Sequence, residues 1–191
     1  MISLARRALP ALLLLPALAR AQAAPIERLH AALLDVMRNA GALGVRGREQ
    51  RLRPVMEQVF NLPAMTRIAV GPAWTGFSPA EQEALVTAFS DWSIATYANR
   101  FDGYGGERFE TLGESARPNG DQLVNTRIVR PNDAPVAINY LLREGRIVDL
   151  YLTGTISELA SRRAEFATIL RDGGAARLVE ELRRRTAGLL R

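Results

Sequence analysis

Apolar residues between Ser78 and Phe101 fall on two lines rather than one. Leu85, Phe89 and Trp92 recur at helical spacing, and Ile94, Tyr97 and Phe101 form a second line offset around the axis. Together they cover about half the circumference, wider than the single stripe of an ordinary surface helix. A helix of this kind expects apolar neighbours on two sides. Its start is marked by polar residues: Ser78 and Glu81 have the spacing of a capping box, and Pro79 takes the first helical position.

Upstream the pattern predicts three more helices. Ala24–Gly44 carries Ile26, Leu29, Leu33, Val36 and Met37, with Gly41 and Gly44 as its end. Arg48–Phe60 repeats Leu52, Val55, Met56, Val59 and Phe60, with Pro54 as a kink or a true start. Leu62–Val70 is a short helix, and Gly71-Pro72 breaks the chain before Trp74. After Phe101 the period drops to two. Four strands follow, Glu107–Ala116, Gln122–Arg130, Pro135–Arg143 and Arg146–Leu152, joined by turns at Asn119-Gly120, Asn132-Asp133 and Glu144-Gly145. Such short connections make every neighbouring pair antiparallel. Alternation puts Val136, Ile138, Tyr140 and Leu142 on one face of the third strand. It puts Val148, Leu150 and Leu152 on one face of the fourth, with Asp149 and Tyr151 opposite. Beyond Gly154, a second capping box at Thr155–Glu158 opens a helix to Gly173-Gly174, and a last helix carries Leu178, Val179, Leu182 and Leu189. The fold class is α+β, with helices packed on one face of a four-stranded antiparallel sheet. Periodicity alone leaves open whether the space between them is a filled core or an apolar cavity.

Composition changes this picture at the amino end. Arg6 and Arg7 precede an apolar run, Ala8–Ala19, and Ala21-Gln22-Ala23 is a small-x-small cleavage site, the pattern of a secretory leader. Residues 1–23 are therefore expected to be removed, leaving 24–191 as one domain in the periplasm. Of the 25 basic residues, all arginine, the leader holds Arg6, Arg7 and Arg20. The remaining 22 face 20 acids, a net charge of +2. That balance and the export signal argue against a nucleic-acid partner. With no cysteine, disulfides and thiolate metal sites are excluded.

Candidate chemistry is sparse. His30 is the only histidine and is expected at the surface or partly buried; a hydrolase built on it would need a serine elbow that the chain lacks. Gly103–Gly106 is followed by no Gly-Lys-Ser/Thr and reads as a plain turn. Glu107 and Glu110 read as solvated charges. No spacing suggests a metal, and no cofactor is expected. What stands out is aromatic: Trp74, Phe77, Phe89, Trp92, Tyr97 and Phe101 gather around one helix.

Met65-Thr66-Arg67, Val70–Trp74 and Phe77–Gln82, together with Ile147–Leu152 and Arg163–Phe166, resemble the MlaC or toluene-tolerance family. Tyr97–Tyr104, Gly106–Phe109 and the Thr155–Ala160 variant of the family's usual ending resemble its hopanoid-associated branch, HpnM. The resemblance implies a non-enzymatic periplasmic carrier with phospholipid or hopanoid tails held between sheet and helices. It would exchange them transiently with an inner-membrane lipid transporter and an outer-membrane acceptor. The lipid-contacting candidates are then Trp74, Phe89, Trp92, Tyr97 and Phe101 from the helices. From the oily strand face they are Ile138, Tyr140, Leu142, Val148, Leu150 and Leu152. Arg162, Arg163, Arg171 and Arg183–Arg185 form either a basic docking rim or a solvated face. The alternative is a non-catalytic envelope adaptor with a filled core.

Overall fold

The computed structural model describes residues 16–153 and 155–191, with side chains from Ala23 onward. Most of the expected leader, residues 1–23, lies outside these, although helix α1 runs from Pro16 to Arg38 and so passes through the expected cleavage site. Helices α2 (Ala40–Val59), α3 (Leu62–Val70) and α4 (Pro79–Arg100) follow, with a 3-10 turn at Gly71–Gly76 between the last two. The strands are β1 (Arg108–Ala116), β2 (Gln122–Arg130), β3 (Asp133–Arg143), β4 (Arg146–Leu152) and β5 (Ile156–Ser157), and α5 (Glu158–Leu189) ends the chain. Among the described residues, no helix is long and apolar enough to cross a membrane.

The sheet is an antiparallel meander in the order β1-β2-β3-β4-β5. It has five strands, not the expected four. The fifth is two residues long and lies in the stretch that reads as a capping box. The cap itself is Ser157, whose hydroxyl accepts from Ala160 N at 3.0 Å, while the backbone of Ile156 and Ser157 pairs with Leu152 and Tyr151 of β4. The first helix boundary also moves. α1 stops at Arg38, because the Asn39 side chain turns back to donate to Asp35 O at 2.8 Å. The positive φ of Gly44, 60°, breaks α2 internally rather than ending α1. Pro54 stays inside α2. The capping box at Ser78 and Glu81 is formed as expected, with Ser78 N donating to Glu81 Oε2 at 2.8 Å.

Alternation fails at one place in β4. Leu142 pairs with Ile147 and Leu141 with Asp149, which leaves Val148 as the extra residue of a β-bulge. Ile147 therefore takes the core position that strict alternation assigns to Val148. Val148 is buried but outside the contiguous core. All five helices bury apolar side chains in that core, joined from the sheet by Val124, Tyr140, Leu142, Ile147 and Leu150. The segment between α2 and α3 is pinned to β4: Asn61 N donates to Ile147 O at 2.8 Å, and Arg146 donates to Phe60 O and Glu57 O. α5 bends at Gly173 and Gly174, the latter with φ 63°, so its two halves follow different neighbours.

Candidate cleft between sheet and helices

Two regions of the sheet's helical face differ. Under α1 the space is full. His30 is buried, contrary to expectation, stacked on Phe109 with ring centroids 4.1 Å apart. Its Nε2 shares a hydrogen bond with the Tyr140 hydroxyl at 3.2 Å. Removal from water lowers the His30 pKa to about 4, so the ring is neutral at pH 7 and unsuited to act as a surface base.

At the other end, α2, α3, α4, β4 and the start of α5 leave a cleft of about 60 Å³. Met56, Phe60, Leu62, Met65, Phe89 and Leu159 give it an apolar lining, and Leu150 projects from the sheet. Phe89, Trp92 and Phe166 make edge-to-face pairs, at 5.9 Å for Phe89–Trp92 and 6.0 Å for Trp92–Phe166. This cluster joins α4 to α5. Ser93, Thr96, Glu158 and Arg162 supply the polar part of the lining. The Arg162 guanidinium lies 4.7 Å above the Trp92 ring and bonds Glu158 at 2.5 Å and Glu165 at 3.2 Å. Arg185 also bonds Glu165, at 2.5 Å, and shares Glu181 with Arg184. The hydrogen bonds from Arg184 and then Arg185 hold the Glu181 carboxyl at about 2.

Tyr97 and Ser93 bring hydroxyl groups to the cleft lining. Burial pushes the Tyr97 hydroxyl far above its ordinary pKa, so it keeps its proton. It is therefore a proton donor at the cleft wall. The lining holds one carboxylate, Glu158, already paired with Arg162. Among the described residues no three His, Asp or Glu side chains converge to hold a metal.

The sequence-derived candidates divide accordingly. Phe89, Trp92, Tyr97 and Leu150 line the cleft. Phe101 is half-buried, stacked on Tyr97 at 5.7 Å. Tyr140 and Leu142 are buried in the core. Ile138 and Leu152 pair in register, half-buried against the core. Trp74, half-buried against the core, sits in the 3-10 turn and lines a surface groove. Sequence reasoning did not assign Met56, Phe60, Leu62, Met65 or Leu159 to the site. Their helices are legible, but which of several apolar stripes meets the void is decided by helix crossing, which periodicity does not encode. Half of the expected basic rim is neutralised: Arg162, Arg184 and Arg185 are bound to glutamates, while no ion pair holds Arg163, Arg171 or Arg183 among the described residues.

A family model described as MlaC protein matches residues 27–184, so the chain belongs to the MlaC family. No curated protein matches it. Among solved structures, the chain is similar to a phospholipid-binding protein from Ralstonia solanacearum, solved in complex with a phospholipid. The TM-score is 0.75 and the identity 20%, over 88% of this chain and 98% of the other. At that identity the likeness establishes the shared fold.

Proposed function

We propose that this member of the MlaC family is a soluble periplasmic lipid carrier. It encloses the acyl tails of a phospholipid, or in the HpnM-like reading a hopanoid, and shuttles the lipid between inner and outer membrane. The observation that carries the reading is the cleft: an apolar, aromatic lining joined to a polar cluster at Glu158 and Arg162. The phospholipid complex of the structurally similar Ralstonia solanacearum protein supports the same ligand class. An acyl chain of about sixteen carbons exposed to water costs on the order of 13 kcal/mol, at roughly 0.8 per methylene. A carrier must therefore cover the tails, while a charged headgroup stays wet and needs no buried counter-charge.

A ligand pocket ordinarily measures several hundred Å³, against about 60 Å³ here. Entry of a tail therefore requires a wall to move. The first half of α5 is suited to this. It is bounded by the glycine bend at Gly173-Gly174 and held to α4 by the Phe89–Trp92–Phe166 cluster and the Arg162 ion pairs, which can separate without breaking a helix.

Organic extraction of the purified protein with lipid mass spectrometry tests the reading. Stoichiometric lipid is expected, and its identity separates phospholipid from hopanoid. Clean protein of full stability would favour the adaptor reading. Export is tested separately: the intact mass of periplasmic protein should begin at Ala24, and a protein retaining residues 1–23 in the membrane fraction would overturn it.

A further inference from the structure

The first half of α5 has two sides. Leu159 and Arg162 line the cleft, while Ala160 and Arg163 line an open groove against the 3-10 turn Gly71–Gly76. This groove, of about 750 Å³, continues through Pro72 and Arg163 into a second one of about 630 Å³ beside Trp74. Their cations are Arg67, Arg143, Arg163 and Arg171, and neither groove is lined by a carboxylate. Arg143 is held by both oxygens of Asp121. Among the described residues, no acid pairs with the other three. The Arg163 stem lies across Gly71, and its Nε donates to Ile68 O at 2.9 Å, which leaves the two terminal nitrogens without an internal partner. Two other grooves along α5 differ, since there glutamates and an aspartate stand beside the arginines.

We propose that this face, Arg67, Arg163 and Arg171 around the 3-10 turn, docks on an anionic phospholipid bilayer surface. Charge complementarity is the first reason: exposed guanidinium groups with no acid neighbour suit phosphate, which they bind through paired N–H donors. The arrangement is the second. The arginines stand apart on α3 and α5 around exposed Pro72 and Ala73 and half-buried Trp74, as a plane of headgroups with an aromatic at their level requires. Between them the groove is lined by small and apolar side chains, Ala160, Ala164, Ala167 and Leu170, without a carboxylate. The third reason rests on the carrier reading: docking here presses the outer side of the α5 segment that walls the cleft, and brings the cleft next to the lipid.

The test is co-sedimentation of the lipid-free, leader-less protein with phosphatidylglycerol–phosphatidylcholine vesicles and with pure phosphatidylcholine vesicles. Wild type is expected to partition onto the anionic vesicles alone, less so as salt rises. The Arg67→Gln/Arg163→Gln/Arg171→Gln variant is expected to lose about a hundredfold in partitioning, roughly fivefold for each cation at an anionic surface. A charge-matched control, Arg28→Gln/Arg46→Gln/Arg100→Gln, should lose far less. Because Arg163 also contacts Gly71, the Arg67→Gln/Arg171→Gln pair serves if the triple variant does not fold, with about a twenty-five-fold loss expected. Equal losses in both triples overturn the proposal. So does wild type that ignores anionic vesicles, a result that would leave the groove to an acidic protein. Co-purified lipid is measured in parallel. Lipid without vesicle binding defeats the docking proposal alone, and vesicle binding through these arginines without lipid defeats the carrier reading alone.

Discussion

The two ends of the sheet's covered face use the same kinds of residue to opposite effect. Under α1, an imidazole and a phenol satisfy each other and their rings close the space. Under α4 and α5, a second tyrosine, Tyr97, borders an unfilled volume. A chain of rings connects the two ends: Phe60, Tyr97, Phe101, Phe109 and His30 follow one another at 4.1 to 6.4 Å. Burial of aromatics therefore does not distinguish a core from a binding cleft. The distinction lies in whether the space between the rings is filled and whether a wall can part.

That contrast can be broken at either end. Leu29→Ala, at a fully buried position of α1, is expected to cost about 2–5 kcal/mol, as truncations in filled cores do, and to leave the lipid load per folded molecule unchanged. Urea unfolding and lipid extraction check both parts. A small cost would mean that the α1 end is also loose.

The filled end also sets a pH dependence. The folded His30 pKa of about 4 lies below the ordinary 6.5. Between these values the unfolded chain binds the extra proton, so stability rises with pH across that window and is lost as pH falls through it. The His30 share of that loss is about 3 kcal/mol at pH 4. The His30→Phe/Tyr140→Phe variant, which removes both partners, should lose that much less between pH 6.5 and pH 4. Identical pH profiles for variant and wild type would refute the assignment.

At the cleft end, Leu150→Trp separates void from core. Overpacking a filled site costs about 1–3 kcal/mol. Here the ring has the cleft to enter, so the delipidated variant should melt near wild type while losing most of its lipid. Delipidation matters because bound lipid itself stabilises the folded state. A badly destabilised variant, or one with a full lipid load, would mean that Leu150 does not face a ligand space. The smallest expected change is at the ion pairs. Arg162→Gln should alter stability by under about 1 kcal/mol but speed lipid release to acceptor vesicles, if these contacts hold the α5 wall shut.

Much of this architecture was legible in the chain. The two-line pattern of Leu85 to Phe101 specified a helix buried on two sides, and Asn119-Gly120 specified its hairpin. Four cleft residues, Phe89, Trp92, Tyr97 and Leu150, were among those singled out. What escaped was decided by tertiary geometry. His30 reads as an ordinary polar helix position until Tyr140, 110 residues away, supplies its partner. Two residues are too few for β5 to show a period. Trp74 reads like any buried aromatic, and only the 3-10 turn shows that it is half-buried beside a surface groove. The bulge at Val148 leaves no mark in a run of apolar residues.

That bulge bears on how the gene can change length. Loss of one residue inside a strand normally turns every later side chain to the wrong side. In β4, Ile147 and Leu150 face the core three positions apart, with Asp149 on the far side, where its carboxylate accepts from Ser157 Oγ at 2.6 Å and Leu159 N at 3.3 Å. Deleting Val148 would restore simple alternation and keep all three on their present sides. This position is thus where β4 can absorb a one-codon deletion, whereas the same loss at Leu150 would put Asp149 out of reach of the start of α5.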